Sequence, residues 1–277
     1  MSTRLEVHRG EAPLVVSFPH TGTDIPPEIE SQLASPWLGR KDADWWVHLL
    51  YDFVGGLGAT TIRTTLSRTV IDVNRDPSGA SLYPGQATTE LCPTTTFDGE
   101  PLYRTGSAPD EHEISRRREL YFQPYHNALA SEIERLRARH PRVVLYEAHS
   151  IRSRVPRLFE GELPNFNIGT NSGASCAPEL TAAIERACDR PGFTRVTNGR
   201  FQGGWTTRHY GSPGNGIHAV QMELACRGYM TEPPEPFTPA NWPPAYDAAR
   251  AATMRAALTS VIQACLDFAH EPSGRRP

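Results

Sequence analysis

The stretch Arg142-Val-Val-Leu-Tyr-Glu-Ala-His-Ser-Ile-Arg152 decides the fold. Val143-Val144-Leu145 is a short aliphatic run after a polar helical segment, which predicts a buried strand. The strand finishes in Glu147, His149 and Ser150, polar groups too costly to bury without partners. An acid and an imidazole at a strand end that opens into an arginine-rich loop suit the carboxyl edge of an α/β sheet, where ligands bind. Alone, His149 reads equally well as a core histidine bonded to a backbone carbonyl. The functional reading gains from a second stretch of the same construction. Leu14-Val-Val-Ser-Phe18 predicts a strand, broken by Pro19 and followed by His20 in a loop of turn-forming residues.

Working outward, residues 43–54 carry apolar side chains at helical spacing and predict a helix, with Asp42 or Asp44 near its N-terminus. Residues 59–64 and 69–73 predict two strands, the second running into Asn74-Arg75. From Pro77 to about Asp110 there is little periodicity, and a loop of that length tends to be functional. Residues 111–139 form the longest helical pattern, with Tyr125, Leu129, Ile133 and Leu136 on its apolar face. A loop over 152–173, a helix over 178–188, a strand over 194–197 and a strand over 218–224 with Glu223 near its end follow. A proline-rich segment then leads to a helix from about Pro244 to Phe268, and residues from about 270 to 277 read as a frayed tail. No internal repeat or linker divides the chain, so one domain over residues 1–277 is expected. The alternation of strands and helices predicts an α/β sandwich with a mainly parallel or mixed sheet.

The 277 residues, 38% of them hydrophobic, suffice for a substantial core. A net charge of -3 gives no reason to expect nucleic acid or an anionic membrane as partner. No apolar run approaches the roughly 18–20 residues that span a bilayer, and no basic leader is present, so a cytoplasmic protein is expected. The oligomeric state is not legible. Cys92, Cys176, Cys188, Cys226 and Cys265 are widely spaced with no C-x-x-C pair, which predicts reduced structural thiols. A thiol hydrolase using Cys92 or Cys176 is a minor alternative.

Two imidazoles and a carboxylate with an open fourth position are what catalytic zinc sites use, and His20, Asp44 and His149 could supply them. Neither H-x-x-E nor H-E-x-x-H occurs, so spacing alone leaves Asp42 and Glu147 as rivals to Asp44. Glu147, two residues before His149 on the same strand face, equally suits a partner that orients the imidazole. Glu223 is the candidate general base, because a carboxylate at the end of an apolar strand is partly desolvated and its pKa rises toward neutrality. A buried ion pair with an arginine is its plainer reading. Arg75 beside Asn74, Arg152 with Arg154 and Arg157, Arg200, and Arg208 with His209 and Tyr210 lie after strands or in Gly-rich loops. Together they would line a cationic pocket for a small substrate bearing one or two carboxylates, although each taken singly reads as a surface arginine. No phosphate-cradling glycine motif is present.

Longer motifs carry a resemblance. SFPHTGTDIP (17–26), DADWWVHLLYD (42–52), SRTVIDVNRDP (67–77), LYPGQ (82–86), LCPTTTFDGEPLY (91–103), the run from Glu147 to Cys176, NGRFQGGWTTRHYG (198–211) and HAVQMELACRGYM (218–230) follow in order over most of residues 13–232. In these segments the chain resembles the N-formylglutamate amidohydrolases. The resemblance implies a zinc carboxypeptidase-like fold, a three-layer α/β/α sandwich around a mixed sheet. It also implies His20 and His149 as ligands of one divalent metal, Zn2+ foremost, Glu223 as base, and Asn74-Arg75 as the binder of a substrate carboxylate. Residues 20–23, His-Thr-Gly-Thr, lack the acid of the H-x-x-E pattern, which leaves Asp44, Asp42 or Glu147 as the acidic ligand. The implied reaction is hydrolysis of N-formyl-L-glutamate to formate and L-glutamate, the last step of a histidine-degradation route. A related N-succinyl or N-acetyl amino-acid deacylase, or a non-catalytic dicarboxylate binder, are the alternatives.

Overall fold

The computed structural model describes residues 4–82, 85 and 88–271. Its centre is a seven-stranded sheet in the order β1-β3-β2-β4-β7-β5-β6. The strands are β1 (Leu5–His8), β2 (Leu14–Phe18), β3 (Thr60–Thr64), β4 (Val143–Ile151), β5 (Phe166–Gly169), β6 (Arg195–Thr197) and β7 (Ile217–Ala225). The helices are α1 (Pro27–Glu30), α2 (Leu38–Lys41), α3 (Val47–Leu50), α4 (Glu111–Arg117), α5 (Gln123–Arg137), α6 (Pro178–Cys188), α7 (Trp205–Tyr210) and α8 (Ala248–His270). β3, β2, β4 and β7 run parallel, while β1 pairs antiparallel to β3 and β5 antiparallel to β7. The sheet is therefore mixed, as expected.

The period-two alternation of strands sorts the core into two layers. Val144, Tyr146 and Ala148 of β4 and Val220, Met222 and Leu224 of β7 pack with Leu180 and Ile184 of α6 and Met254, Leu258, Val261 and Ile262 of α8. Val143, Leu145 and Ala219 face the other way, toward Tyr125, Leu129, Ile133 and Leu136 of α5. Helices thus cover both faces, the layering of an α/β sandwich. Glu147 and His149 follow Val143 and Leu145 at two-residue steps, so they share the α5-side face at the carboxyl end of β4.

β4 runs through its polar residues as expected, with all nine residues from Val143 to Ile151 buried. Other elements differ from expectation. The helix expected over 43–54 shrinks to α3, because Trp46 adopts φ 66 and breaks it, and a 3-10 segment Asp52–Leu57 follows. Residues 69–73 form turns rather than a strand, although Val70, Ile71 and Val73 are buried. Within 152–173 the loop contains β5, and the Gly-rich segment after Arg200 winds into α7. The long helical pattern is realised as α4 and α5, joined through a π turn over Arg118–Phe122. α8 extends to His270, and residues 272–277 of the expected tail lie outside the described residues, as do Tyr83, Pro84 and Gln86 of the LYPGQ motif.

Candidate active site

Parallel pairing of β4 with β7 places Glu147 opposite Gln221 and His149 opposite Glu223, one polar row above the other on the same face. Next to β4 on its other side, β2 ends at Phe18 and delivers His20 two residues later. Asp44 comes from the turn before α3, where its backbone N–H donates to the His20 carbonyl (2.9 Å). Because Trp46 interrupts the helix, Asp44 caps nothing; its side chain enters the cluster instead.

Asp44 Oδ2 lies 3.1 Å from His149 Nδ1 and 3.7 Å from His20 Nδ1, and the two rings stand 4.8 Å apart. Ligand atoms from these three buried residues all fall within 4.8 Å of one another. The outer nitrogens are held from behind. His20 Nε2 bonds Asp72 Oδ1 at 2.7 Å, and His149 Nε2 faces Asn74 Nδ2 at 3.2 Å and Glu147 Oε1 at 3.9 Å. Glu147 therefore sits on the far side of His149 from Asp44, with its other oxygen accepting from Thr207 Oγ1 (2.9 Å). Asp42 is turned elsewhere: Oδ2 accepts from the Phe97 N–H (2.6 Å), and Oδ1 lies 3.6 Å from Arg152.

His20 Nδ1 and Asp44 Oδ1 are buried with no hydrogen-bond partner. Two imidazole nitrogens and a carboxylate are the donor set that zinc sites use, and the acids behind the rings, Asp72 on His20 and Glu147 near His149, are the kind of support such ligands receive. Burial and then Arg68 push the His20 pKa down, which keeps its imidazole neutral, as a metal ligand must be. Burial also disfavours charge on His149, but the Asp44 and Glu147 carboxylates outweigh it and lift the ring to about 10. A negative field that draws a proton there would equally draw a cation. His20, Asp44 and His149 could hold a divalent metal.

One cavity opens beside this cluster, bordered by His20, His149, Glu223, Asn74 and Gln221 and by the guanidinium-bearing residues Arg68, Arg75 and Arg200. Phe97, Ile151, Leu158 and Phe201 supply apolar wall. Burial raises the Glu223 carboxyl to about 7, against the opposing pull of His149. Arg75 is braced by Thr89 O and Oγ1 (3.1 and 3.0 Å), and Arg200 donates to Leu158 O (2.7 Å).

The other arginines do not border the cavity. Arg152 is buried in an ion pair with Asp98 (2.8 Å) and lies over the Phe237 ring. Arg154 pairs with Glu162, and Arg157 donates to Thr96 O. Arg208 and His209 belong to α7, where Arg208 donates to Gly203 O and His209 stacks on Trp205. Cys92 and Cys176 are buried away from the cavity, and burial pushes the Cys92 thiol up to about 11, which leaves no thiolate for nucleophilic chemistry.

Arg68 and Asp72 were missed from the sequence. Arg68 Nη2 meets Asp72 Oδ2 at 2.6 Å, and its guanidinium covers the Phe97 ring. In an extended strand, side chains four residues apart are separated by about 13 Å. Only the turn that replaces the expected strand joins them, and no glycine, proline or asparagine within residues 68–72 marks that turn.

A profile of the N-formylglutamate amidohydrolase family matches residues 12–230. The chain belongs to this family. The N-formylglutamate deformylase of Pseudomonas aeruginosa is 44% identical to it over 272 residues, 98% of this chain and 99% of that one. The N-formylglutamate deformylase of Pseudomonas putida is 46% identical over 239 residues, 86% of this chain and 89% of that one. Among solved structures, an N-formylglutamate amidohydrolase from Ralstonia eutropha JMP134 superposes with a TM-score of 0.76 at 23% identity, covering 96% of this chain and 98% of the other. A gene product from Agrobacterium tumefaciens gives 0.72 at 16% identity, covering 97% and 96%. Both structures share the fold of this N-formylglutamate amidohydrolase family member.

Proposed function

We propose that the chain hydrolyses N-formyl-L-glutamate to formate and L-glutamate, the closing step of a histidine-degradation route, within one catalytic domain. The observation that carries the reading is the His20–Asp44–His149 cluster beside Glu223, in a cavity edged by three arginines. His20, Asp44 and His149 would hold one divalent ion, zinc by its donor set. Such an ion supplies Lewis-acid polarisation and a more acidic water.

The remaining work falls to this chain's side chains. Arg75 and Arg200, fixed by carbonyl and hydroxyl acceptors behind them, hold the two substrate carboxylates and orient the formyl carbon toward the cluster. Arg68 keeps a positive charge at the cavity wall, where negative charge grows on the formyl oxygen as the carbon becomes tetrahedral. Glu223, poised near neutrality by burial, takes the proton of the attacking water and hands it to the amide nitrogen as the C–N bond breaks. Formic acid leaves with the water oxygen and the second water proton, which it sheds to become formate, and the freed glutamate amine takes up that proton.

All five cysteines are free and buried, which suits a reducing compartment such as the cytoplasm. No helix among the described residues is long and apolar enough to cross a membrane. The test is Glu223→Gln assayed against N-formyl-, N-acetyl- and N-succinyl-glutamate. The variant should keep its metal and lose nearly all formate release, and the parent should favour the formyl compound. Undiminished turnover in Glu223→Gln, or a parent preference for the longer acyl groups, overturns the reading.

A further inference from the structure

Gln221 stands on β7 two residues before Glu223, on the same sheet face, and is buried at the cavity wall. Its carboxamide is held at both ends. Oε1 accepts the backbone N–H of Gly204 at 2.7 Å, and Nε2 donates to Glu223 Oε2 at 3.2 Å. A backbone N–H can only donate, so Gly204 dictates which end of the amide is oxygen and leaves the NH2 group facing the carboxylate. Gly204 is itself pinned: a methyl group built on its Cα would fall 2.6 Å or less from the Asn74 carboxamide, so its backbone packs directly on that side chain.

The neighbour across the sheet sharpens the requirement for a neutral side chain. Gln221 pairs with Glu147, whose Oε2 accepts from Thr207 Oγ1 and whose Oε1 lies 3.9 Å from His149 Nε2. Gln221 thus separates two buried acids on adjacent strands. A third carboxylate there would share a proton with Glu223 instead of donating to it.

We infer that Gln221 is a positioning residue for the reaction, a carboxamide strut that fixes the Glu223 carboxylate and ties it to the Gly203-Gly204 turn after the cavity-lining residues Arg200 and Phe201. This rests on the reading of Glu223 as the base. The strut has two separable functions. Its NH2 end orients Glu223 and should govern kcat. Its oxygen end anchors the turn and should govern KM.

Two variants divide them. Gln221→Glu keeps an acceptor for Gly204 and loses the donor to Glu223, so kcat for N-formyl-L-glutamate should fall about 10–100-fold with KM within about twofold of the parent. Gln221→Met loses both ends, so kcat should fall by a similar factor and KM should rise by about tenfold as the turn loosens. Metal content and melting temperature are measured on each protein. Parent-like kcat in Gln221→Glu overturns the inference, as does an equal change in both constants across the two variants, the signature of a merely structural residue. Should Gln221→Met fail to fold, Gln221→Glu decides alone. Glu223→Gln, run alongside, separates the two levels: full turnover there removes the base itself, whereas an inactive Glu223→Gln with a parent-like Gln221→Glu removes only the strut.

Discussion

Replacing Asp72 with Asn should loosen the site without enlarging it. The Asp72 carboxylate is fully buried and accepts from His20 Nε2 at 2.7 Å, Arg68 Nη2 at 2.6 Å and the Asn74 backbone N–H at 2.9 Å, with Arg75 Nη2 at 3.7 Å. Burial pushes its pKa up, yet Arg75, His20 and Arg68 together hold it well below the usual carboxylate range. Asparagine keeps the volume and one acceptor oxygen, which can still serve His20 and Asn74. Its NH2 group would then confront the Arg68 guanidinium, donor against donor. Removing one partner of a buried ion pair costs about 3–5 kcal/mol. At about 2–4 °C per kcal/mol for a chain approaching this size, the melting temperature should drop by roughly 6–20 °C. His20 loses the charge behind it, so metal affinity should fall about 10–100-fold. Thermal denaturation followed by circular dichroism and a chelator competition measure the two effects. A variant that melts within about 2 °C of the parent and binds metal equally well would refute the assignment of Asp72 as the hub joining His20 to the arginines.

Gly204→Ala should displace the Asn74 carboxamide and the Gln221 acceptor contact together, lowering kcat/KM by about 100-fold, read by formate release; a parent-like value would show that the turn has slack. Arg152→Met takes a buried guanidinium away from the solvent-facing Asp98 outside the cavity, so stability in urea should fall by only about 1 kcal/mol while KM stays put; a sharp rise in KM would return Arg152 to the substrate site. His126 is buried on α5 between Val73 O and Tyr210 Oη, with Glu147 and His209 the nearest titrating charges, and burial lowers it from 6.5 to about 4. Its folded pKa lies below the unfolded value, so protonation favours the unfolded chain. The associated stability is complete above pH 6.5 and lost as pH falls through 4, roughly 3 kcal/mol in all. Urea titrations at pH 7 and pH 4.5 should show that loss in the parent and a smaller one in His126→Gln.

The elements legible in the sequence were those whose signal is local. β2 and β4 announce themselves by aliphatic runs and α6 by a proline at its first turn, while α8 is a long alanine-rich stretch. β5 was hidden because its four residues include an asparagine and a glycine; Asn167 Nδ2 donates to Pro164 O and to Glu223 O, the latter 56 residues away. α7 was hidden because Trp-Thr-Thr after two glycines has weak helical propensity, and packing makes it a helix. β1 is a half-buried edge strand of four residues. At the site, His20, His149 and Glu223 were legible as polar groups at strand ends. Which of Asp44, Asp42 and Glu147 approaches both imidazoles was not, since it turns on Asp44 lying beside both rings, Glu147 behind His149 and Asp42 turned to Phe97 and Arg152. Arg152, Arg208 and His209 show the converse: a charged residue beside a strand end can be consumed by an ion pair or a helix face.

The dependence of hydrolysis on the His20–Asp44–His149 cluster is read by formate release from N-formyl-L-glutamate as a divalent ion is titrated into chelator-treated protein, for the parent and for His149→Ala. Activity should rise to a plateau at one equivalent of ion in the parent, with neither tight binding nor release in the variant. Full formate release from the parent with no bound metal, or from His149→Ala at the parent rate, would contradict that dependence.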